Sequence, residues 1–317
     1  MAADPWGIAS GYVSVLGDWR EISMGTRRAL LAAMGADGSQ QGPPDAPVRV
    51  VRAGSRVALG VKGDLQLEDG RVTPVRGTLP AGIPPGYHRL MSAAGETSVI
   101  VAPPACPLPP GRAWGWAAQL YATRSEESWG IGDLGDLRRL GAWSTRRGSR
   151  LLQINPLSAP IPGMPLQPSP YFPSTRRFRN PLYLNIESAP GAREARLDLE
   201  PLACAGRDLN VGRRIDRDAA WSLKERALEL LWSRFAGDPD FDEYHRQEGR
   251  SLDEYATFCV LAERHGGGFT GWPAEYRRPD NPAVAEFRRA QRDRVDFHAW
   301  LQWLLDRQLA RAAEACP

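Results

Sequence analysis

Between residues 47 and 105 the chain alternates apolar and polar positions in short runs. VRVVRAG, RVALGVKG, LQLEDG, RVTPVRG, YHRLMSAAG and TSVIVAP each repeat with a period of two, and each closes on Gly, Pro or Asp-Gly. That pattern predicts short strands in an antiparallel β-sandwich or meander over residues 47–110. Upstream, SMGTRRALLAAMGADG reads as a short helix ended by Gly35, part of a helical lead-in over residues 1–46 that finishes in the linker GADGSQQGPPDAP. Downstream, Pro103, Pro104 and PLPPG at 107–111 form a stiff connection, so a domain boundary is expected near residue 110.

Beyond it the period changes. WGWAAQLY (114–121) and RLLQINPL (150–157) read as buried strands, separated by DLGDLRRLGAWSTRRG. This middle segment has helix-start chemistry at Asp133 and Asp136, an apolar stripe at Leu134, Leu137 and Leu140, Arg146 and Arg147 at the negative end, and Gly148 as a stop. Strand, helix, strand at this spacing is a βαβ unit and implies a parallel sheet. From about 190 to 317 the chain reads as helical. In the last segment Phe297, Trp300, Leu301, Leu304 and Leu305 share one face.

Composition narrows the class. The 317 residues are 42% hydrophobic and 24% charged with net charge +3, values of an ordinary globular protein without the basic stripe of a nucleic-acid binder. The basic residues are nearly all arginine, which reads as codon bias. Cys106, Cys204, Cys259 and Cys316 are scattered with no metal-ligand spacing, so no metal site is expected. No signal peptide and no apolar run of membrane-spanning length is legible, and a cytoplasmic protein is the expectation.

Candidate chemistry concentrates in PSPYFPSTRRFRNPLYLN (168–185), which follows the second predicted strand. Loops at the C-terminal ends of parallel strands build ligand sites in open sheets and barrels. Pro168, Pro170, Pro173 and Pro181 restrict this loop and lower its ordering cost. Tyr171 offers a flat apolar face and a hydroxyl suited to a sugar ring; alternatively, Tyr171 and Phe172 plug the top of the sheet. The first βα loop carries Arg124, Glu126, Glu127 and Trp129, with the adjacent glutamates read as solvated. The four histidines, at 88, 245, 265 and 298, share no motif, and His298 is read as structural. The tryptophans at 221, 232, 300 and 303 are assigned to packing.

Three blocks carry a resemblance. QLYATRSEESWGIGDLGDL, LLQINPLSAP and QPSPYFPSTRRFRNPLYLNIE, with DFHAWLQWLLDRQLARA further on, resemble the 4-α-glucanotransferase family, the amylomaltases or disproportionating enzymes of the α-amylase clan. The resemblance covers residues 114–317, and more weakly the β-rich segment before it. It implies an α/β plus β fold: a β-sandwich-like N-terminal domain, then the first part of a (β/α)8 barrel with an inserted helical subdomain over about 190–317. It implies retaining transfer of α-1,4-glucan segments between maltodextrins, with glucose among the acceptors and no cofactor. Ser169 and Tyr171 match the family's Ser-Pro-Tyr at the donor sugar sites, Asn180 its Asn-Pro-Leu, and Asn155 its second-strand Asn-Pro. Ser158 stands where relatives often carry His.

The family's catalytic carboxylates lie in segments built on Arg-Ile-Asp-His, Ala-Glu-Asp-Leu and Thr-His-Asp, and none of these strings occurs here; Ile215-Asp216 is followed by Arg217. No catalytic residue is therefore assigned. The chain is expected to be the front part of a glucanotransferase, truncated or split at the gene level. The alternative is a non-catalytic α-glucan-binding or regulatory protein. A subunit complemented by a separate C-terminal polypeptide is a third, less favoured reading. Two barrel strands are legible after residue 110, whereas closure needs eight.

Overall fold

The computed structural model describes residues 4–36, 48–108 and 111–316; the predicted linker at 35–47 falls almost wholly outside them. The chain divides into two compact units, residues 1–108 and 109–317.

In the first unit, β1 (Gly11–Val13) and β2 (Trp19–Glu21) form a hairpin, and α1 (Met24–Ala33) begins where Ser23 accepts a hydrogen bond from Thr26 N. The alternating segment folds into β3 (Val48–Arg52), β4 (Val57–Gln66), β5 (Val72–Leu79), β6 (Gly86–Ser92) and β7 (Gly95–Ala102). These five make one sheet in the order β3-β7-β6-β4-β5, with β3 parallel to β7 and the other pairs antiparallel. The sandwich reading implies two stacked sheets; among the described residues this stretch forms one. The long β4–β5 hairpin shifts register between Ala58 and Lys62, and it carries Leu59 and Leu79 into the same cluster as Val51, Leu65, Val75, Leu90, Val99 and Val101.

The second unit opens with β8 (Gly115–Ala118), α2 (Leu134–Arg146) and β9 (Leu151–Ile154), and among the described residues β8 pairs, in parallel, with β9 alone. Gly115 permits the close pairing, since a Cβ there would sit 2.0 Å from the Leu151 carbonyl oxygen. The expectation of two buried strands is corrected here. Gly115, Trp116, Ala117, Leu151 and Gln153 are exposed, because a pair this narrow has helices on one side and no further strands beside it among the described residues. The short β10 (Ser158–Ala159) then pairs antiparallel with β11 (Thr175–Arg179).

Helices complete the unit: α3 (Arg196–Asp208), α4 (Arg217–Trp232), α5 (Pro239–Glu248), α6 (Arg250–His265), α7 (Pro282–Ala290) and α8 (Arg292–Ala315). The apolar face of α8 lies at the centre, with Phe297, Trp300, Leu301, Leu304 and Leu305 all buried. Trp232, Phe235 and Trp300 pack there with ring centroids 5.6 to 5.8 Å apart, and Trp303 lies 6.0 Å from Phe235.

Candidate functional site

The predicted loop is built from its base upward. Pairing of β10 with β11 closes the segment 160–174, and Ser174 Oγ lies 3.0 Å from both Ala159 O and Pro160 O. Within the loop, Ser169 N donates to Gln167 Oε1 (3.1 Å) and Tyr171 N to Ser169 Oγ (3.3 Å). Tyr171 and Phe172 are 64% and 71% exposed, so neither plugs a core among the described residues.

The segment after β11 is clamped from two helices. Gln302 and Gln308 on α8 each imitate a strand partner. Gln302 accepts from Arg179 N and donates to Arg179 O, both at 2.9 Å. Gln308 does the same to Asn185, at 2.9 and 2.8 Å. From α4, fully buried Lys224 donates to Leu182 O (2.9 Å) and Leu184 O (2.7 Å) and lies 3.6 Å from Asp133. Asp133 also caps α2 and receives the Asn185 amide (3.2 Å). Burial pushes the Lys224 ammonium pKa down and the Asp133 carboxyl pKa up, against the attraction each exerts on the other. Buried charge of this kind needs all its partners, and here it fixes residues 182–185 in place.

Two cavities flank the loop and share Pro160, Leu166 and Asn180. The narrow one, about 20 Å³, touches Ser169, Phe172, Tyr183 and Arg217. The wide one, about 390 Å³, is lined by Trp221, Glu225, Glu229, Cys259, Glu263, Arg294 and His298 among others. Asn180 therefore faces both, with its Oδ1 held by Leu182 N at 3.0 Å. Ser169 lines the narrow cavity, while Tyr171 stands outside both in solvent. Asn155 is buried. It accepts from Leu120 N (2.7 Å) and donates to Pro156 O (2.9 Å) and Tyr183 Oη (3.0 Å), so its polar atoms are spent joining the end of β9 to the clamped segment.

Sequence reasoning missed the charged wall of the wide cavity. Arg294 lies 3.1 Å from Glu225, 2.7 Å from Glu229 and 2.8 Å from Glu263, whose Oε1 also meets His298 Nε2 at 2.8 Å. Burial raises the Glu225 pKa despite Arg294. At Glu263 burial also pushes upward, but hydrogen bonds from His298 and Arg294 overcome it and hold the carboxyl at about 2. Burial pushes the Cys259 thiol up to about 12, which leaves it inert. The missed signal was spacing. Glu225 and Glu229, Cys259 and Glu263, and Arg294 and His298 are each i, i+4 pairs, so three helices turn one face to the same space. Among the described residues, no group of three His, Cys, Asp or Glu side chains could hold a metal, and no helix is long and apolar enough to cross a membrane.

The glutamates of the first βα loop stay outside this arrangement. Glu127 pairs with Arg139, and Trp129 is buried against Gly206, where a Cβ would stand 2.7 Å from the indole.

Comparison with known proteins follows the same outline. The family model for 4-alpha-glucanotransferase matches residues 118–317. The chain is similar to the 4-alpha-glucanotransferase of Mycobacterium tuberculosis strain H37Rv, at 38% identity over 97% of this chain and 51% of the relative. It is 31% identical to that of Haemophilus influenzae over 74% of this chain and 38% of the relative. Among solved structures, amylomaltase from Corynebacterium glutamicum superposes with a TM-score of 0.74 at 26% identity, covering 98% of this chain and 52% of that one. The chain thus spans about half the length of these two proteins from Mycobacterium and Corynebacterium. On the family match and these identities, the chain belongs to the 4-alpha-glucanotransferase family.

Proposed function

We propose that this chain is the sugar-gripping front part of a retaining 4-α-glucanotransferase that moves α-1,4-glucan segments between maltodextrins, with glucose as one acceptor. Its β8–α2–β9 unit is the start of a (β/α)8 barrel, the helices from 196 onward are the inserted subdomain, and the carboxylates that break the bond belong to a further, C-terminal polypeptide. The carrying observation is the clamped loop. Residues 160–185 leave the C-terminal end of a parallel strand, are pinned by Gln302, Gln308 and Lys224, and turn Ser169 and Asn180 to the cavities with Tyr171 exposed above. Ser169, Tyr171 and Asn180 contact the glucan, and Asn155 serves the site by fixing Tyr183 and Leu120. The open face of β8–β9 supports the barrel reading, since Leu151 and Gln153 lie where further strands would pack. A cytoplasmic location is part of the same reading.

A second reading is a non-catalytic α-glucan-binding protein. What favours it is that the carboxylates of the wide cavity, Glu225, Glu229 and Glu263, are all ion-paired with Arg294. One experiment addresses both. The purified chain is incubated with maltotriose, alone and with a polypeptide covering the C-terminal half of a relative, and glucose release is followed. Release only with the second polypeptide, reduced roughly tenfold in kcat/KM by Tyr171→Ala, supports the first reading. Release by the chain alone overturns the assignment of catalysis to a further polypeptide. Maltotriose binding without release under either condition favours the second.

A further inference from the structure

The first unit presents a cleft that the loop site does not account for. Alternation along the strands sends Leu65, His88, Leu90, Val99 and Val101 to the buried face and leaves the other face open. On that open face the register aligns Val50 with Ile100 and Ile100 with Tyr87, and beside them Val48 with Ser98, Ser98 with Arg89 and Arg89 with Gln66. Apart from Val50, these rows floor a cleft of about 590 Å³, whose lining also includes His88 and, from the β4–β5 turn, Leu67, Glu68 and Gly70. Tyr87 is 70% exposed within it.

The turn is rigid. Leu67 N donates to Arg71 O (2.7 Å), Gly70 adopts φ +86°, and Asp69 holds Arg71 through both Nε (2.7 Å) and N (3.0 Å). Glu68 folds from this turn onto the sheet, where its carboxylate accepts Tyr87 N at 3.2 Å and its own N–H donates to His88 Nδ1 at 3.1 Å. His88 is fixed in turn by Pro84 O at 2.9 Å from Nε2. The backbone at Tyr87 is thus held from two sides, so the exposed ring stands on an ordered strand and little is lost in ordering it.

We propose that this cleft is a second carbohydrate site, which takes a segment of a neutral α-1,4-glucan stacked on Tyr87. An exposed aromatic ring meets the apolar face of a pyranose. Around it stand an amide (Gln66), a hydroxyl (Ser98), a carboxylate (Glu68) and a guanidinium (Arg89), the groups that match a ring of hydroxyls. The lining carries one carboxylate (Glu68), one guanidinium (Arg89) and the His88 imidazole, whose two nitrogens are taken by Glu68 N and Pro84 O, so neither sign dominates and a neutral ligand suits it better than an anion or a cation. Among the described residues Arg89 is held only by a loose pair with Glu96 at 3.6 Å, both side chains exposed, and such a pair yields readily. The choice of an α-1,4 chain over other neutral polysaccharides rests on the function proposed above. The site would hold polymer on the enzyme and leave the transfer chemistry untouched.

The test is affinity electrophoresis of the full 317-residue chain in native gels cast with soluble starch, with dextran, or without polysaccharide. Starch is expected to retard the wild type, Tyr87→Ala to raise the apparent Kd roughly tenfold, and Tyr87→Phe to keep retardation. Tyr87 is exposed, so its variants should keep the wild-type urea midpoint and report binding rather than folding. An unretarded wild type, or Tyr87→Ala retarded like the wild type, overturns the proposal. Equal retardation by dextran overturns the α-1,4 preference. Slow migration that depends on protein concentration without polysaccharide marks the face as a self-association surface and also overturns it. Tyr171→Ala separates the two sites. If it alone abolishes retardation, the cleft is excluded and the loop site stands; if only Tyr87→Ala does, the loop site fails and the cleft stands.

Discussion

In the five-stranded sheet β3–β7, strands alone assemble a core. Four of the strands, β4 to β7, pair antiparallel, Leu65 of β4 stands opposite Leu90 of β6, and Leu65, Leu90 and Val99 come to lie at 1% exposure or less. The parallel pair β8–β9 has the apolar content of a buried strand and does not achieve this. Trp114, Trp116 and Leu151 are 51%, 41% and 42% exposed, and Trp116 leans on Trp143 of α2 with ring centroids 5.3 Å apart. A parallel sheet needs cover on both faces and neighbours at both edges, while an antiparallel one can leave a face to water. The second unit instead gets its order from α8 and from buried polar links, Lys224, Gln302 and Gln308, that hold irregular backbone in place of a strand ladder.

That contrast is sharpest at Lys224. Lys224→Met takes the donor from Leu182 O and Leu184 O and leaves Asp133 buried with its cation gone, at a cost of about 3–5 kcal/mol. Urea unfolding followed by tryptophan fluorescence should show the loss, and a change under about 1 kcal/mol would mean that the knot is not what anchors the segment. The two sheets are then compared directly by one chemical change. Leu65→Ala empties a filled site and should cost about 2–5 kcal/mol, whereas Leu151→Ala trims a side chain already in water and should cost below about 1 kcal/mol. Hydrogen exchange resolved by peptide would assign each loss to its sheet. Equal costs would mean that β8–β9 is packed as well as β3–β7.

The same physics decides how much was legible in the sequence. Periodicity found the strands of the five-stranded sheet, though not the β1–β2 hairpin within the expected helical lead-in, and the end chemistry of α2 was readable down to Asp133, because both depend on residues near in sequence. The parallel pairing of β3 with β7 was not readable, since alternation reports which face a residue takes and says nothing about which strand lies beside it. Burial of β8 and β9 was misjudged because apolar content was read as burial, a step that holds only when the neighbouring strands are present. At the site, the proline-rich loop stood out by composition. The Arg294 cluster did not, since its members come from three helices far apart in sequence and each alone reads as an ordinary helix-surface charge.

Acid offers the last and smallest way to separate the two regions. The hydrophobic cluster of the β3–β7 sheet consists of aliphatic side chains, so the acid comparison is read at the charged wall of the second unit. In the second unit Glu263 has a folded pKa of about 2 against an unfolded 4.5. A carboxyl held below its unfolded value stabilises the fold above that value and stops doing so as pH falls through the folded one. Its contribution is therefore full above pH 4.5 and is lost between pH 4.5 and about 2, amounting to at most about 3 kcal/mol. Glu263→Gln should be less stable than the wild type by up to this amount at neutral pH, and the two should converge towards pH 2, as read by urea midpoints across the range. A constant gap would place the effect of the substitution in lost packing rather than in the charge shared with Arg294 and His298.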